Sequence, residues 1–242
     1  MHQLIRDRHE RLEDSVPPGA AEGSELSLDD RALAPYLLSG LIRASMVQSL
    51  DHLDAHRGLM EDAQRTHVWA EYTLMRAALE TACTAVWLVT PDEPEERRFR
   101  LLRLAAKDIN DSKDAAKLHR TEPASGRTHK ERLDEVKALA PAERRAEVGA
   151  SLGYRGIVRA AAPAADVEPD FLELQWRILS GLTHGAQWAT LGCSTGPPRR
   201  LPSMASRTSA SPARPRPSRF TGLQQACLLT GKPCTSPDDL RG

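Results

Sequence analysis

Five side chains in this sequence have the types and spacing to move a proton beside a phosphate. Arg177 and His184 lie seven residues apart in the run Trp176-Arg177-Ile178-Leu179-Ser180-Gly181-Leu182-Thr183-His184-Gly185. At about 3.6 residues per turn, that spacing returns both to nearly one face of a helix, with Ser180 between them. Histidine exchanges protons near neutrality and arginine stabilises charge developing on a phosphate, so the set is a minimal toolkit for cleaving a phosphodiester without a metal. Arg76 and Glu80 stand one helical turn apart in a second apolar run, Tyr72 to Val89. They read either as a structural ion pair that fixes how helices dock or as the polar floor of a pocket shared with Ser180 and His184. His184 has an equally plain reading, as an interior histidine hydrogen-bonded to Ser180 or across to Glu80. Gly181 and Gly185 leave room beside that face for another backbone or a ligand.

The elements that would carry these residues are helices. From Ser27, an N-cap with Asp30 three residues on, Leu33, Leu37, Leu41, Ala44, Val47 and Leu50 mark one buried stripe to about His56. Pro35 falls in the first turns of this helix, and Gly58 bends or ends it. The second helix is predicted from about Asp62 to Val89, with two neighbouring apolar stripes that make it central in a bundle. Thr90-Pro91-Asp92-Glu93 reads as a stop followed by a capping box opening a third helix, Pro91 to about His119. On this helix Arg97, Arg98, Arg100 and Arg103 form a mixed-charge surface with Glu95 and Glu96. A short amphipathic helix through Leu133, Val136 and Leu139 stops at Pro141, weak helices follow near 142–148 and 157–162, and the last opens at Pro169 and runs to Leu191. No segment alternates apolar and polar residues over strand length. The expectation is an all-α bundle of about five helices.

Charge is balanced overall, at 33 basic against 33 acidic residues, but unevenly placed. Residues 192–242 hold seven Arg and one Lys against two Asp, a local net of +6, and the remainder is acidic to the same degree. With eight Pro, seven Ser and one aromatic, Phe220, this stretch cannot bury enough apolar area to offset the entropy of ordering it. It is expected to be a disordered basic tail: a solvated one, a contact for RNA or DNA through charge, or the product of a reading-frame slip in a GC-rich gene. The domain reading is therefore a flexible leader over 1–26, a helical bundle over 27–191 and the tail over 192–242.

Cys83, Cys193, Cys227 and Cys234 show no CxxC pairing, and Cys83 reads as a small buried hydrophobe. His52 and His56 share a helical face but lack the glutamate of a metalloprotease motif and are read as surface histidines. No phosphate-binding glycine loop, dinucleotide fingerprint or nucleophile elbow occurs, and no metal or cofactor is implied. The charged N-terminus lacks a signal peptide's apolar stretch, and no run approaches the roughly 20 apolar residues of a membrane span, so a cytoplasmic location is expected.

An arginine followed after about four to six residues by a histidine on a late helix of a small bundle resembles the HEPN superfamily, and Arg177 and His184 fit that pattern with six residues between them. Ile178 stands where that family usually has a polar residue. The resemblance implies a homodimer with the pair at its interface and, in the catalytic members, metal-independent RNA cleavage by attack of the 2′-hydroxyl. The phrases Arg76-Ala77-Ala78-Leu79-Glu80 and Ser180 to Gly185 also resemble a group of uncharacterised helical proteins from GC-rich bacteria. The first functional expectation is a non-catalytic regulatory or interaction protein, in regulation or stress response. The alternatives are a HEPN-type endoribonuclease using Arg177 and His184 and a nucleic-acid-binding regulator using the basic tail.

Overall fold

A computed structural model describes residues 20–119 and 126–192. The chain is all-α, and the described residues contain no strand. In order they form α1 (Glu25–Leu33), α2 (Leu38–Arg57), α3 (Ala70–Val89), α4 (Pro94–His119), α5 (His129–Ala138), α6 (Arg145–Val148), α7 (Tyr154–Ala161), α8 (Pro169–Thr183) and α9 (Gln187–Gly192). The basic segment from 193 onward, with Cys193, Cys227 and Cys234, lies outside the described residues, as does the leader before residue 20. No helix among the described residues is long and apolar enough to cross a membrane.

α3 is the axis of the bundle. α2 packs along it most extensively, and α7, α8 and the start of α4 meet its other sides. The double apolar stripe dictates this position, because a helix with one polar edge can be covered on the rest of its circumference. Leu88 of α3, Leu38 of α2, Leu102 of α4, Val158 of α7 and Leu179 of α8 are almost wholly buried. Cys83 lies among them, and burial, with the charge of Glu80 adding to it, pushes its thiol up to about 12. It is an apolar space-filler there, as its place in the sequence predicts.

Several helix ends differ from the sequence reading, each for a local reason. The single helix predicted from Ser27 is two. α1 starts earlier, with Ser24 as the N-cap accepting from the Ser27 N–H at 3.3 Å. It ends before Pro35, which forces the preceding Ala34 into extended geometry. Asp30 ties the two pieces together by accepting the Ser39 N–H at 3.0 Å and the Ser39 hydroxyl at 2.5 Å. α3 begins at Ala70 rather than Asp62, because the chain passes Gly58 in a π-helical turn, Gly58–Asp62. Arg57 there collects the carboxylates of Asp54, Glu61 and Asp62.

α4 opens at Pro94, not Pro91. Thr90 still belongs to the end of α3, with its N–H on the Val86 carbonyl at 3.0 Å, so the predicted capping box does not form. The turn is held instead by Arg97, which donates to the carbonyls of Pro91 and Asp92 at 3.0 Å each. Arg97 is buried rather than part of a charged surface, because Asp29 of α1, itself fully buried, takes its Nε–H at 2.9 Å and that of Arg98 at 2.7 Å. His56 is likewise buried, not on the surface, and its Nε2 faces Glu71 at 4.0 Å.

Candidate functional site

α3 and α8 run antiparallel, and their polar edges meet in one chain of contacts. Glu80 Oε1 accepts the Arg76 Nε–H at 2.9 Å and the indole N–H of Trp176 at 2.7 Å. A second Arg76 nitrogen lies 2.7 Å from His184 Nε2. A guanidinium can only donate, so Nε2 accepts and the ring proton sits on Nδ1. Arg76 and Glu80 are mostly covered, with side chains 22 % and 13 % exposed, whereas His184 is exposed. The i, i+4 pairing of Arg76 with Glu80 is thus part of a larger clasp that docks α8 on α3. Trp176, which the sequence offers as one more apolar residue, is its fourth member. A buried indole N–H needs an acceptor, and that was the available clue.

The helix that was to carry both Arg177 and His184 ends at His184. Its last turn closes as a Schellman motif: the Ala186 N–H bonds the Gly181 carbonyl at 2.8 Å and the Gly185 N–H bonds that of Leu182 at 3.3 Å. Gly185 takes a φ of +67°, the left-handed value such a cap requires. The continuous helix predicted to Leu191 is therefore broken, and α9 folds back on α8. Gly181 makes this return possible, because a Cβ there would sit 2.7 Å from the Ala189 Cβ and 2.8 Å from Trp188 Cζ2. The space expected beside Gly181 is filled by the chain itself. Ser180 contributes its carbonyl, which accepts the His184 N–H at 3.1 Å. Its hydroxyl makes no hydrogen bond to His184.

Arg177 belongs to a different group. Its Nε–H donates to Glu173 Oε1 at 2.7 Å, and the same carboxylate takes Arg155 at 2.8 Å and Arg159 at 2.7 Å. Arg159 also reaches Asp170. The Arg159 and then the Arg177 hydrogen bonds hold the Glu173 carboxyl down to about 2. No hydrogen bond joins Arg177 to His184. Among the described residues no group of three His, Cys, Asp or Glu side chains is arranged to hold a metal ion.

Compared with known proteins, the chain matches no family model, no curated protein and no solved structure. What the site can do must come from its geometry. The clasp joins two helices by a charge-assisted network, and its one exposed end, His184 Nδ1–H, is a hydrogen-bond donor.

Proposed function

We propose that this is a non-catalytic regulatory or interaction protein that works through association as a homodimer. The observation that carries this reading is the occupation of both predicted catalytic groups. The only imidazole lone pair of His184 is directed at Arg76 at 2.7 Å, and Arg177 pairs with Glu173 through its Nε–H. A base whose lone pair already accepts from a guanidinium cannot take a substrate proton until that contact breaks.

Association is supported by large apolar side chains left uncovered just before α3 and on α9. Val68, Trp69, Trp188 and Leu191 remain 70 %, 47 %, 56 % and 65 % exposed. Apolar side chains exposed in this way mark surfaces that gain by being covered. Sedimentation velocity of the full chain over a range of concentrations tests the reading. A dimer that Trp188→Ser with Leu191→Ser converts to monomer supports it, and a monomeric parent at all concentrations refutes the homodimer. Contact of the basic 192–242 segment with RNA or DNA belongs to the same proposal, and salt-sensitive binding that disappears on deleting residues 193–242 is its signature.

A second reading, a HEPN-type ribonuclease, is favoured by the exposure of His184 beside a cation. In it Arg76 rather than Arg177 would be the positive group next to the histidine. Cleavage of RNA separates the two readings.

A further inference from the structure

Residues of α2, α3, α4 and α7 line an open cavity of about 710 Å³. Its size is that of a pocket for a drug-sized molecule. Its walls are largely apolar, with Leu41, Leu101, Leu104 and Ile157 prominent, and it stays open because small residues, Gly40 and Ala105 among them, stand where bulk would close it.

Its uncharged polar lining includes Ser45 and Gln48 of α2 and Thr81 and Thr84 of α3. Thr81 and Thr84 have each committed their hydroxyl proton to their own helix, to the carbonyls of Ala77 and Glu80 at 2.8 Å in both cases. What they turn to the cavity is acceptor lone pairs. Ser45 on the facing helix is 95 % buried and lines the same cavity, so its hydroxyl is a polar contact within reach of a molecule bound there. The charges lie at the rim and cancel: Lys107 pairs with Asp111, and Arg132 and Asp108 add one of each sign. A ligand charge carried to the floor would meet no counter-charge.

We infer that this cavity binds an uncharged small molecule with an apolar, drug-sized body and an N–H or O–H donor at its buried end, received by Ser45, Thr81 and Thr84. The site is separate from the Arg76–His184 clasp, and its occupancy does not depend on whether that clasp is catalytic or structural.

A matched pair of fluorescent probes tests it on the full chain. N-phenyl-1-naphthylamine is neutral and carries one N–H donor; 8-anilino-1-naphthalenesulfonate has the same body with an added anion. Saturable one-to-one binding of the neutral probe is expected, tighter than the anionic one by about tenfold or more. Ala105→Trp, which fills the cavity, should weaken the neutral probe at least about tenfold with circular dichroism unchanged. If that variant does not fold, Gly40→Phe fills the same space from α2. Ser45→Ala should weaken the probe by about three- to tenfold with circular dichroism unchanged. Trp188→Ser should leave binding as it was. Absence of saturable binding, equal or tighter binding of the anionic probe, or binding lost in Trp188→Ser but kept in the cavity variants would each overturn the inference.

Discussion

Adding one methyl group at either of two helical glycines should have opposite effects, and the difference measures how closely α9 is held. At Gly156 in α7 an added Cβ meets nothing within 4 Å. Alanine there should stabilise by up to about 1 kcal/mol, the helix-propensity difference. At Gly181 the same Cβ lies 2.7 Å from Ala189 Cβ and 2.8 Å from Trp188 Cζ2. Relaxing those contacts to an ordinary separation of about 3.5–4.0 Å requires α9 to move outward by roughly 1 Å. Overpacking of this kind costs about 1–3 kcal/mol, against which the propensity gain of about 1 kcal/mol is set. The net is a loss of about 0–2 kcal/mol, so Gly181→Ala should fall below Gly156→Ala by about 1–3 kcal/mol. Urea denaturation followed by circular dichroism gives both values, and a changed tryptophan emission in Gly181→Ala would report the shift at Trp188. Equal stabilisation by the two substitutions would refute the close approach of α9 to α8.

Three further outcomes follow from the buried charges and the buried thiol. Asp29→Ala leaves Arg97 buried without its main partner and should destabilise by about 3 kcal/mol, the lower end for a broken buried pair, because the carbonyls of Pro91 and Asp92 still hold it; chemical denaturation measures this, and a loss below about 1 kcal/mol would contradict the burial. Glu173 has a folded value near 2, below the ordinary 4.5, so its contribution is present above pH 4.5 and lost as pH falls towards 2. The gap in melting temperature between the parent and Glu173→Gln should therefore be widest near neutrality and close on acidification; a constant gap would show that the three arginines do not act through the carboxylate. Cys83, pushed up to about 12, should resist alkylation at pH 8 in the native chain and react in urea, in a background with Cys193, Cys227 and Cys234 changed to serine.

The core helices were legible where a pattern depends on neighbours one or two turns away. Part of the α3 pattern, with Ala78, Ala85 and Leu88 buried, and the stop before Pro141 are of that kind, and so is the capping box of Thr128 and Glu131 at the start of α5. The buried Cys83 and Trp87, by contrast, lie off the predicted stripes, and Trp69 and Val89 on them are exposed. Features that depend on a distant partner were not legible. Asp29 and Arg97 are 68 residues apart, and nothing near either one says that the other will bury it. The same holds for Trp176 and Glu80, which are brought together only by the antiparallel register of α3 and α8. Arg177 and His184 failed differently: α8 reaches both positions as the spacing implies, with His184 as its C-cap, but Arg177 bonds back along its own helix to Glu173 while His184 reaches across to Arg76 of α3. Pro35 shows a further limit, since a proline tolerated in a first turn stops a helix that began nearly three turns earlier.

The central claim, that Arg177 and His184 are held in separate structural contacts and perform no chemistry, is tested most directly by incubating the purified full chain with end-labelled RNA in EDTA. His184→Ala and Arg177→Ala are run in parallel, with circular dichroism establishing that all three are folded. A non-catalytic protein gives intact RNA in every lane. Cleavage by the parent that disappears in both variants with their helical content preserved would contradict the claim and put a metal-independent ribonuclease site at the end of α8.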